Sequence, residues 1–536
     1  MIPFSHNEYP YPSHRTSVYG RRGMVATSHP LATEAGMSVF RKGGNAVDAA
    51  VAAGAALGVV DPASTGPGGD LFAILSVKGQ LYGLNASGPS PHLMSYEALT
   101  DRGFKSIPSF GWMPVTVSGG PAGWAVLTKR FGKLPLAESL EPAAELAEEH
   151  PVSRYTVYCL GGTNEKIKVF GEKNDPIFEP WFDMFAPGRK PISVGQVFHM
   201  PELAATLREI GRTDGESFYR GALAKQIASY SERTGGLLRY DDMAEYHPQW
   251  VDPLSINYRG YDIWEMPPNG QGITALIALN IMEGFKPVSH EDAFTVHRQI
   301  ESMKLAFADS FHYVADPKHL TIDMKSLLSK EYAAKRRSLI TEEKAITPPH
   351  GDPLRGGTIY LCTADGEGNM VSFVQSISGP HASGIVVPGT GILLQNRGTN
   401  FKMDPAHPNF VGPGKLPFHT IIPGFITKGG QPVGPFGIMR GHIQPQAHMQ
   451  VVMNMIDFGM NPQAALDASR WFWQSGLTVN MESSWPESVN ESLGARGHVI
   501  APDDPGYGRG QVIVRLENGT LCGGTDHRSE GSVLAF

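Results

Sequence analysis

Thr358 follows Gly356 and Gly357 and opens an apolar run through Ile359, Tyr360 and Leu361. If the chain were cut before it, the threonine would become a new N-terminus. Its hydroxyl would then be a nucleophile with its own freed amine as the base, a recognised way to activate a threonine. An α-amino group titrates at roughly 7.7–8.0, near neutrality, whereas a lysine side chain does not. Glycines before the bond tolerate the strained dihedrals that an N-to-O acyl shift needs. These residues fit an ordinary hairpin equally well, since Asp365-Gly366-Glu367-Gly368-Asn369 reads as a turn between two strands, the second starting at Met370.

A wider pattern separates the two readings. Thr358 to Asn369, followed by Gly384 to Asn396, resembles the γ-glutamyltransferase family of N-terminal nucleophile hydrolases. Upstream, Gly23 to Ala32, Gly43 to Ala52, Val60-Asp61-Pro62, Gly66 to Asp70 and Met266 to Gly272 fall in that family's order. The resemblance runs from about residue 20 to the end. It implies self-cleavage between Gly357 and Thr358, giving a large chain 1–357, with a pro-loop over about 338–357, and a small chain 358–536. It also implies amide hydrolysis or acyl transfer through an acyl-threonine, and a heterodimer of the two chains.

Residue by residue, the resemblance makes Ser376 the hydroxyl that tunes the threonine amine. It places the oxyanion hole on backbone N–H groups of Met439-Arg440-Gly441-His442, where the family carries a Gly-Gly pair. Backbone donors serve whatever the side chain, so Arg440 does not abolish the hole. Recognition residues depart further. The family arginine that holds a γ-glutamyl carboxylate falls on Ser87, the Ser-Ser pair on His419-Thr420, and the aspartate that holds the amino group on Asn400. A serine cannot neutralise a carboxylate, and asparagine pairs poorly with an ammonium. Arg397 and Arg440 are new, and arginine suits bidentate carboxylate binding. The expected substrate-binding residues are Arg397, Asn400, His419, Thr420 and His442, with Arg440 at the oxyanion turn beside them. The expectation is an amide whose acyl part carries a carboxylate without a free α-amino group, as in oxamate-like or glutaryl compounds. The alternatives are a γ-glutamyl (glutathione) hydrolase, with Arg397 and Arg440 in structural ion pairs, and an uncut pseudoenzyme.

The elements that must carry these residues read as strands flanked by helices. Pro30 to Val60 has a helical period broken at Gly43-Gly44. Gly66 to Asp70 is a glycine loop feeding a strand. A phosphate loop should open a helix and carry GxxxxGK[ST], so this loop is expected to be backbone packed near the active centre. Residues 76–130 read as strands and turns, ending in a turn at 118–124, and 131–250 as mostly helical. The aromatic run Phe178 to Phe185 is expected to be a packing cluster. Two further helices are expected over 271–284 and 292–316, and a charged one over 325–337. Beyond the hairpin, strands are expected at 421–426, 433–438 and 511–516, and helices at 448–458 and 461–472. Strands between helical layers fit an α+β, four-layer αββα sandwich, the fold the resemblance also implies.

Composition bounds the rest. A chain of 536 residues with 41% hydrophobic and 18% charged residues can bury a large core. A formal charge of -7 argues against a nucleic-acid partner. Three dispersed cysteines exclude a disulfide framework and favour a reducing compartment, and Cys362 is expected to be a small buried hydrophobe. With no signal-peptide pattern and no long apolar run, a cytoplasmic protein without membrane contact is expected. The 19 histidines form no HExxH and no tight cluster in sequence, so no metal and no cofactor is expected, with His29, His419, His442 and His448 hydrogen-bonded or exposed.

Overall fold

The computed structural model describes residues 15–160, 163–347, 357–502 and 506–536. Residues 1–14, and residues 348–356 of the expected pro-loop, lie outside the described residues.

Two seven-stranded antiparallel sheets pack face to face. Their strands are β1 (Val18–Gly20), β2 (Gly23–Thr27), β3 (Asp70–Val77), β4 (Gln80–Ala86), β5 (Gln249–Val251), β6 (Leu254–Tyr258), β7 (Tyr261–Glu265), β8 (Gly357–Asp365), β9 (Met370–Ser378), β10 (Gly424–Lys428), β11 (Gln431–Met439), β12 (Arg509–Arg515), β13 (Leu521–Thr525) and β14 (Ser532–Ala535). One sheet runs β14-β2-β8-β9-β3-β4-β5 and the other β1-β13-β12-β11-β10-β7-β6. Helices α1 (Pro30–Arg41) and α2 (Ala46–Val60) cover the first sheet. The second is covered by α3 (Gly272–Met282), α4 (Ala293–Tyr313) and α5 (Ile443–Ile456). The result is the four-layer αββα arrangement.

Because both sheets are sandwiched, β8 and β9 are buried on both faces and lose the simple in–out alternation. Tyr360 on β8 crosses to the other sheet, where Gly437 of β11 leaves room: a Cβ there would sit 2.3 Å from the tyrosine ring. Helix α2 is buried along its whole length, and its Ala and Gly residues allow close approach to β8 and β9. Asn45 and Asp48 form a capping box that fixes its start. That start is tied to β8 through the Ala46 N–H to Asp365 (3.1 Å) and the Thr363 hydroxyl to the Ala46 carbonyl (2.6 Å). Past its C-terminal end, the Ser64 carbonyl accepts the Ile377 N–H of β9. One helix therefore sets the hairpin that carries Thr358.

Two sequence expectations are corrected. The turn expected at 118–124 is the start of a helix, Gly120–Phe131, with Pro121 in its first turn and Trp124 fully buried. The helix expected over 461–472 stops at Asp467, because Trp471–Ser475 pairs as a strand with Thr478–Met481. The aromatic run is a packing cluster, with Trp181, Phe182 and Phe185 buried and the Phe170 and Phe178 rings stacked at 4.3 Å.

Candidate active site

The register of β8 against β9 shifts between Gly357 and Ile359, a bulge centred on Thr358. A bulge at a strand end re-aims a side chain out of the ladder. Here it brings the Thr358 hydroxyl to the Ser376 hydroxyl, 3.3 Å away. Ser376 Oγ also accepts the Ser378 N–H (2.9 Å) and an Arg397 Nη2 donor (2.9 Å). The other Arg397 Nη donates to the Thr420 hydroxyl at 2.8 Å. Three hydroxyls and one guanidinium thus form a continuous buried chain from Thr358.

Arg397 sits in a single 3₁₀ turn, Arg397–Asn400, and is 1% exposed. Among the described residues no carboxylate forms an ion pair with it, and its Nε has no acceptor. Burial lowers its pKa to about 10, against the pull of the Asp70 carboxylate. Asp70 opens β3 opposite Ser376 on β9. Burial pushes Asp70 up to about 7, although Arg397, Gln395 and the N–H groups of Gly88 and Gly119 oppose the rise. His419 donates to its other oxygen at 3.0 Å. The preceding Gly69 must be glycine, because a Cβ there would lie 2.4 Å from the Ser376 carbonyl oxygen. This glycine loop is therefore packing backbone, as its sequence context implies.

Thr358 opens onto a cavity of about 710 Å³, within the range of small-molecule sites. Arg397, Asn400, Thr420 and Arg440 line it, all four residues singled out from sequence. Ser378 and Arg440, which also line it, have φ of 80° and 94°, a left-handed conformation that non-glycine residues rarely adopt. Arg440-Gly441-His442 forms the turn between β11 and α5, with Gly441 at φ 53°. Among the described residues no acceptor takes the Gly441 N–H. The Gly441 carbonyl is held by the Gln271 side chain at 3.0 Å, which fixes the turn.

His419 and His442 do not line the cavity, against the sequence expectation. His419 is fully buried between Asp70 and the Phe72 ring, and its second nitrogen accepts the Ile421 N–H. His442 bonds Gln271 at 2.8 Å among Phe307, Phe311 and Phe418. Apolar packing draws both rings inward and holds them neutral, with His442 pushed down to about 3. Ser87 is likewise off the cavity, donating to Asn85 at 2.7 Å.

Sequence reasoning missed Asp70 and Gln395, which brace the Arg397 turn, and Lys166 and Arg509, which reach the cavity from distant segments. No spacing signal marks the latter two. It also missed a buried His297–Glu301–His498 cluster, spread over some 200 residues of sequence. There Glu301 already pairs with Lys304 Nζ at 2.7 Å, and the two imidazoles are hydrogen-bonded to each other at 2.8 Å.

A family model described as gamma-glutamyltranspeptidase matches residues 32–536. The glutathione hydrolase-like YwrD proenzyme of Bacillus subtilis (strain 168) is 34% identical, covering 97% of this chain and 99% of the relative. The oxamate amidohydrolase proenzyme of Klebsiella pneumoniae subsp. pneumoniae is 33% identical, covering 96% and 98%. Among solved structures, the cephalosporin acylase from Bacillus halodurans superposes with a TM-score of 0.95 at 50% identity, covering 99% of both chains.

Proposed function

This chain belongs to the gamma-glutamyltranspeptidase family of N-terminal nucleophile hydrolases, and on that premise we propose that it cuts itself before Thr358 and hydrolyses amides whose acyl part carries a carboxylate. The freed Thr358 amine takes the proton of its own hydroxyl as the hydroxyl oxygen attacks the amide carbonyl. N–H groups of the Arg440-Gly441-His442 turn receive the developing oxyanion, a contribution on the order of 10²–10³ in rate per donor. The amine leaves with the proton, and water then releases the acid from the acyl-threonine by the reverse sequence. Ser376 positions the threonine, and Arg397 holds the acyl carboxylate.

The observation that carries this reading is Arg397. A buried guanidinium that, among the described residues, meets only hydroxyls is costly unless an anion completes it. It stands one hydroxyl away from Thr358. The similarity to an oxamate amidohydrolase and a cephalosporin acylase supports a carboxylate-bearing acyl group. The same reading includes a heterodimer of chains 1–357 and 358–536 and a cytoplasmic location. The latter is supported by three cysteines without a disulfide among the described residues and by the lack there of a helix long and apolar enough to cross a membrane.

The test is intact mass under denaturing conditions for the wild type and Thr358→Ala, followed by assay against glutathione, oxamate and N-glutarylaniline. Two fragments meeting at Gly357/Thr358, absent from the variant, together with preference for the latter two amides, are expected. An uncut wild-type chain overturns the nucleophile, and a clear preference for glutathione overturns the carboxylate-only acyl group.

A further inference from the structure

Gln271 lies in the turn between β7 and α3 and is fully buried. Its backbone N–H donates to the His419 carbonyl at 2.9 Å, and the His419 N–H donates to the Asn269 carbonyl at 2.8 Å. Residues 269–271 therefore run alongside 419–420, with Gly270 bridged to His419. The side-chain amide is used at both ends. Its Nε2 donates to the Thr420 carbonyl at 2.7 Å and to the Gly441 carbonyl at 3.0 Å, and its Oε1 accepts from His442 Nδ1 at 2.8 Å. The Thr420 hydroxyl is at the same time the acceptor for Arg397. One planar amide thus joins the residue that braces the buried guanidinium to the turn at the start of α5.

What the amide holds at that turn is the direction of the N–H groups. In a planar trans peptide the carbonyl and the following N–H point in opposite directions. Fixing the Gly441 carbonyl therefore aims the His442 N–H, and the bond to the His442 ring holds the next residue. Like the Gly441 N–H, the His442 N–H meets no acceptor among the described residues. Arg440 stands at φ 94°, a conformation that persists only where the surroundings over-determine it, and Gln271 supplies two of those constraints. At the other end, Arg397 gives its Nη donors to Thr420 and Ser376. A carboxylate arriving at Arg397 competes for these donors, so Thr420 is held differently with and without it. Gln271 carries that difference to the Gly441 turn.

We infer that Gln271 is a positioning residue that aligns the Arg440-Gly441-His442 turn from the acyl-carboxylate site, so that a carboxylate at Arg397 raises kcat as well as lowering KM. The inference rests on the proposed hydrolysis for the role of the turn, though not for the bridge itself. Gln271 does not line the cavity and touches no reacting atom. Its effect is on geometry, where a displacement of about 1 Å costs on the order of 10² in rate.

The experiment compares N-glutarylaniline with N-butyrylaniline, which share a leaving amine and differ by the acyl carboxylate. It uses the wild type, Gln271→Met and Gln271→Glu. Methionine keeps the length of the side chain and removes its hydrogen bonds. Glutamate keeps the shape and an acceptor for His442 but replaces the nitrogen that bonds both carbonyls. In parallel, amide exchange read by mass spectrometry follows residues 269–274, none of which lines the cavity, with and without glutarate. For the wild type, kcat on the glutaryl amide should exceed that on the butyryl amide at least about tenfold, with a lower KM. Either variant should bring the kcat ratio to within about twofold while leaving the KM ratio within about twofold of its wild-type value. Glutarate should slow exchange over 269–274 at least about threefold in the wild type and leave it unchanged in the variants. An equal loss of kcat on both amides makes Gln271 a structural support only and overturns the inference. A KM ratio that collapses with the kcat ratio also overturns it, because Gln271 would then serve acyl binding alone. No effect of glutarate on wild-type exchange overturns it whether or not the variants fold. If neither amide is cut but glutarate slows exchange through Gln271, the hydrolytic reading fails and the coupling stands.

Discussion

Ser376 Oγ receives the Thr358 hydroxyl, the Ser378 N–H and an Arg397 donor at once, so Thr358 and the buried cation are coupled through one atom. Arginine supplies this geometry because its planar head reaches Ser376 and Thr420 with two nitrogens, while its Nε meets no acceptor among the described residues. Lysine has a single nitrogen and cannot do both. Arg397→Lys should therefore raise KM for carboxylate-bearing amides about 10–100-fold, the cost of about 1.5–3 kcal/mol for a lost charged hydrogen bond. Steady-state kinetics on N-glutarylaniline checks this, and an unchanged KM would remove Arg397 from acyl recognition. The residues of this chain were readable because motif order located them: Thr358, Ser376 and the Arg440-Gly441 turn all lie in runs of fixed spacing. His419 and His442 misled because neighbours in sequence point to opposite sides of a strand or turn, and apolar packing took these two rings inward. Asp70 closes the Gly66–Asp70 run, but only the pairing of β3 with β9 shows that it lies opposite Ser376.

At the scale of elements, hydrophobic period and breakers located α1, α2, α3 and α4 closely, since long buried helices repeat their pattern many times. Short elements were less legible. Gly120–Phe131 starts at two glycines and a proline that equally signal a turn, and Trp471–Ser475 becomes a strand only through its partner at 478–481. Helix α4 shows a further device invisible in sequence. Its Glu301 and Lys304 form a fully buried ion pair that also grips the backbone of Ile346, through the Ile346 N–H (2.9 Å) and carbonyl (3.1 Å). His297 adds a bond to the Thr341 carbonyl, so the last described stretch before residue 348 is pinned to α4. Removing one member of such a pair strands the other in a dry interior. Lys304→Met should thus lower unfolding stability by about 3–5 kcal/mol, and Glu301→Gln with Lys304→Met by less than the two single changes summed. Urea denaturation measures both. A Lys304→Met midpoint equal to the wild type would mean that the buried pair contributes nothing to stability.

Across the whole molecule, the interior holds an unusual number of neutral imidazoles, and this sets the response to acid. Burial lowers His29 to about 4 and His381, His442, His448 and His498 to about 3, with His419 also well below its ordinary value. A depressed histidine contributes stability that is complete above its unfolded pKa, about 6.5, and is lost as pH falls towards the folded value. Three buried carboxyls work the other way: Asp61 is raised to about 6, Asp70 to about 7 and Glu265 well above its usual range. Their stabilisation is complete below about pH 4 and is lost as pH rises through those folded values. Between pH 6.5 and 5 these imidazoles, joined by His290 at about 4 and by smaller falls at His150, His297 and His407, favour the higher pH, while the three carboxyls, joined by smaller rises at Asp48, Asp242, Asp309, Asp457 and Asp467, favour the lower. The histidines prevail, and stability should fall by several kcal/mol over that interval as the unfolded chain takes up protons the folded one refuses. The sheets make the loss cooperative, because β8, β9 and β14 from beyond residue 357 interleave with β2, β3, β4 and β5 from before it. A urea midpoint that drops steadily from pH 6.5 to 5, with an unchanged denaturant slope, is the expected result. A flat or rising midpoint would mean that several of these imidazoles are charged inside the fold, and Glu265, hydrogen-bonded to His448 at 2.6 Å, would be the first partner to examine.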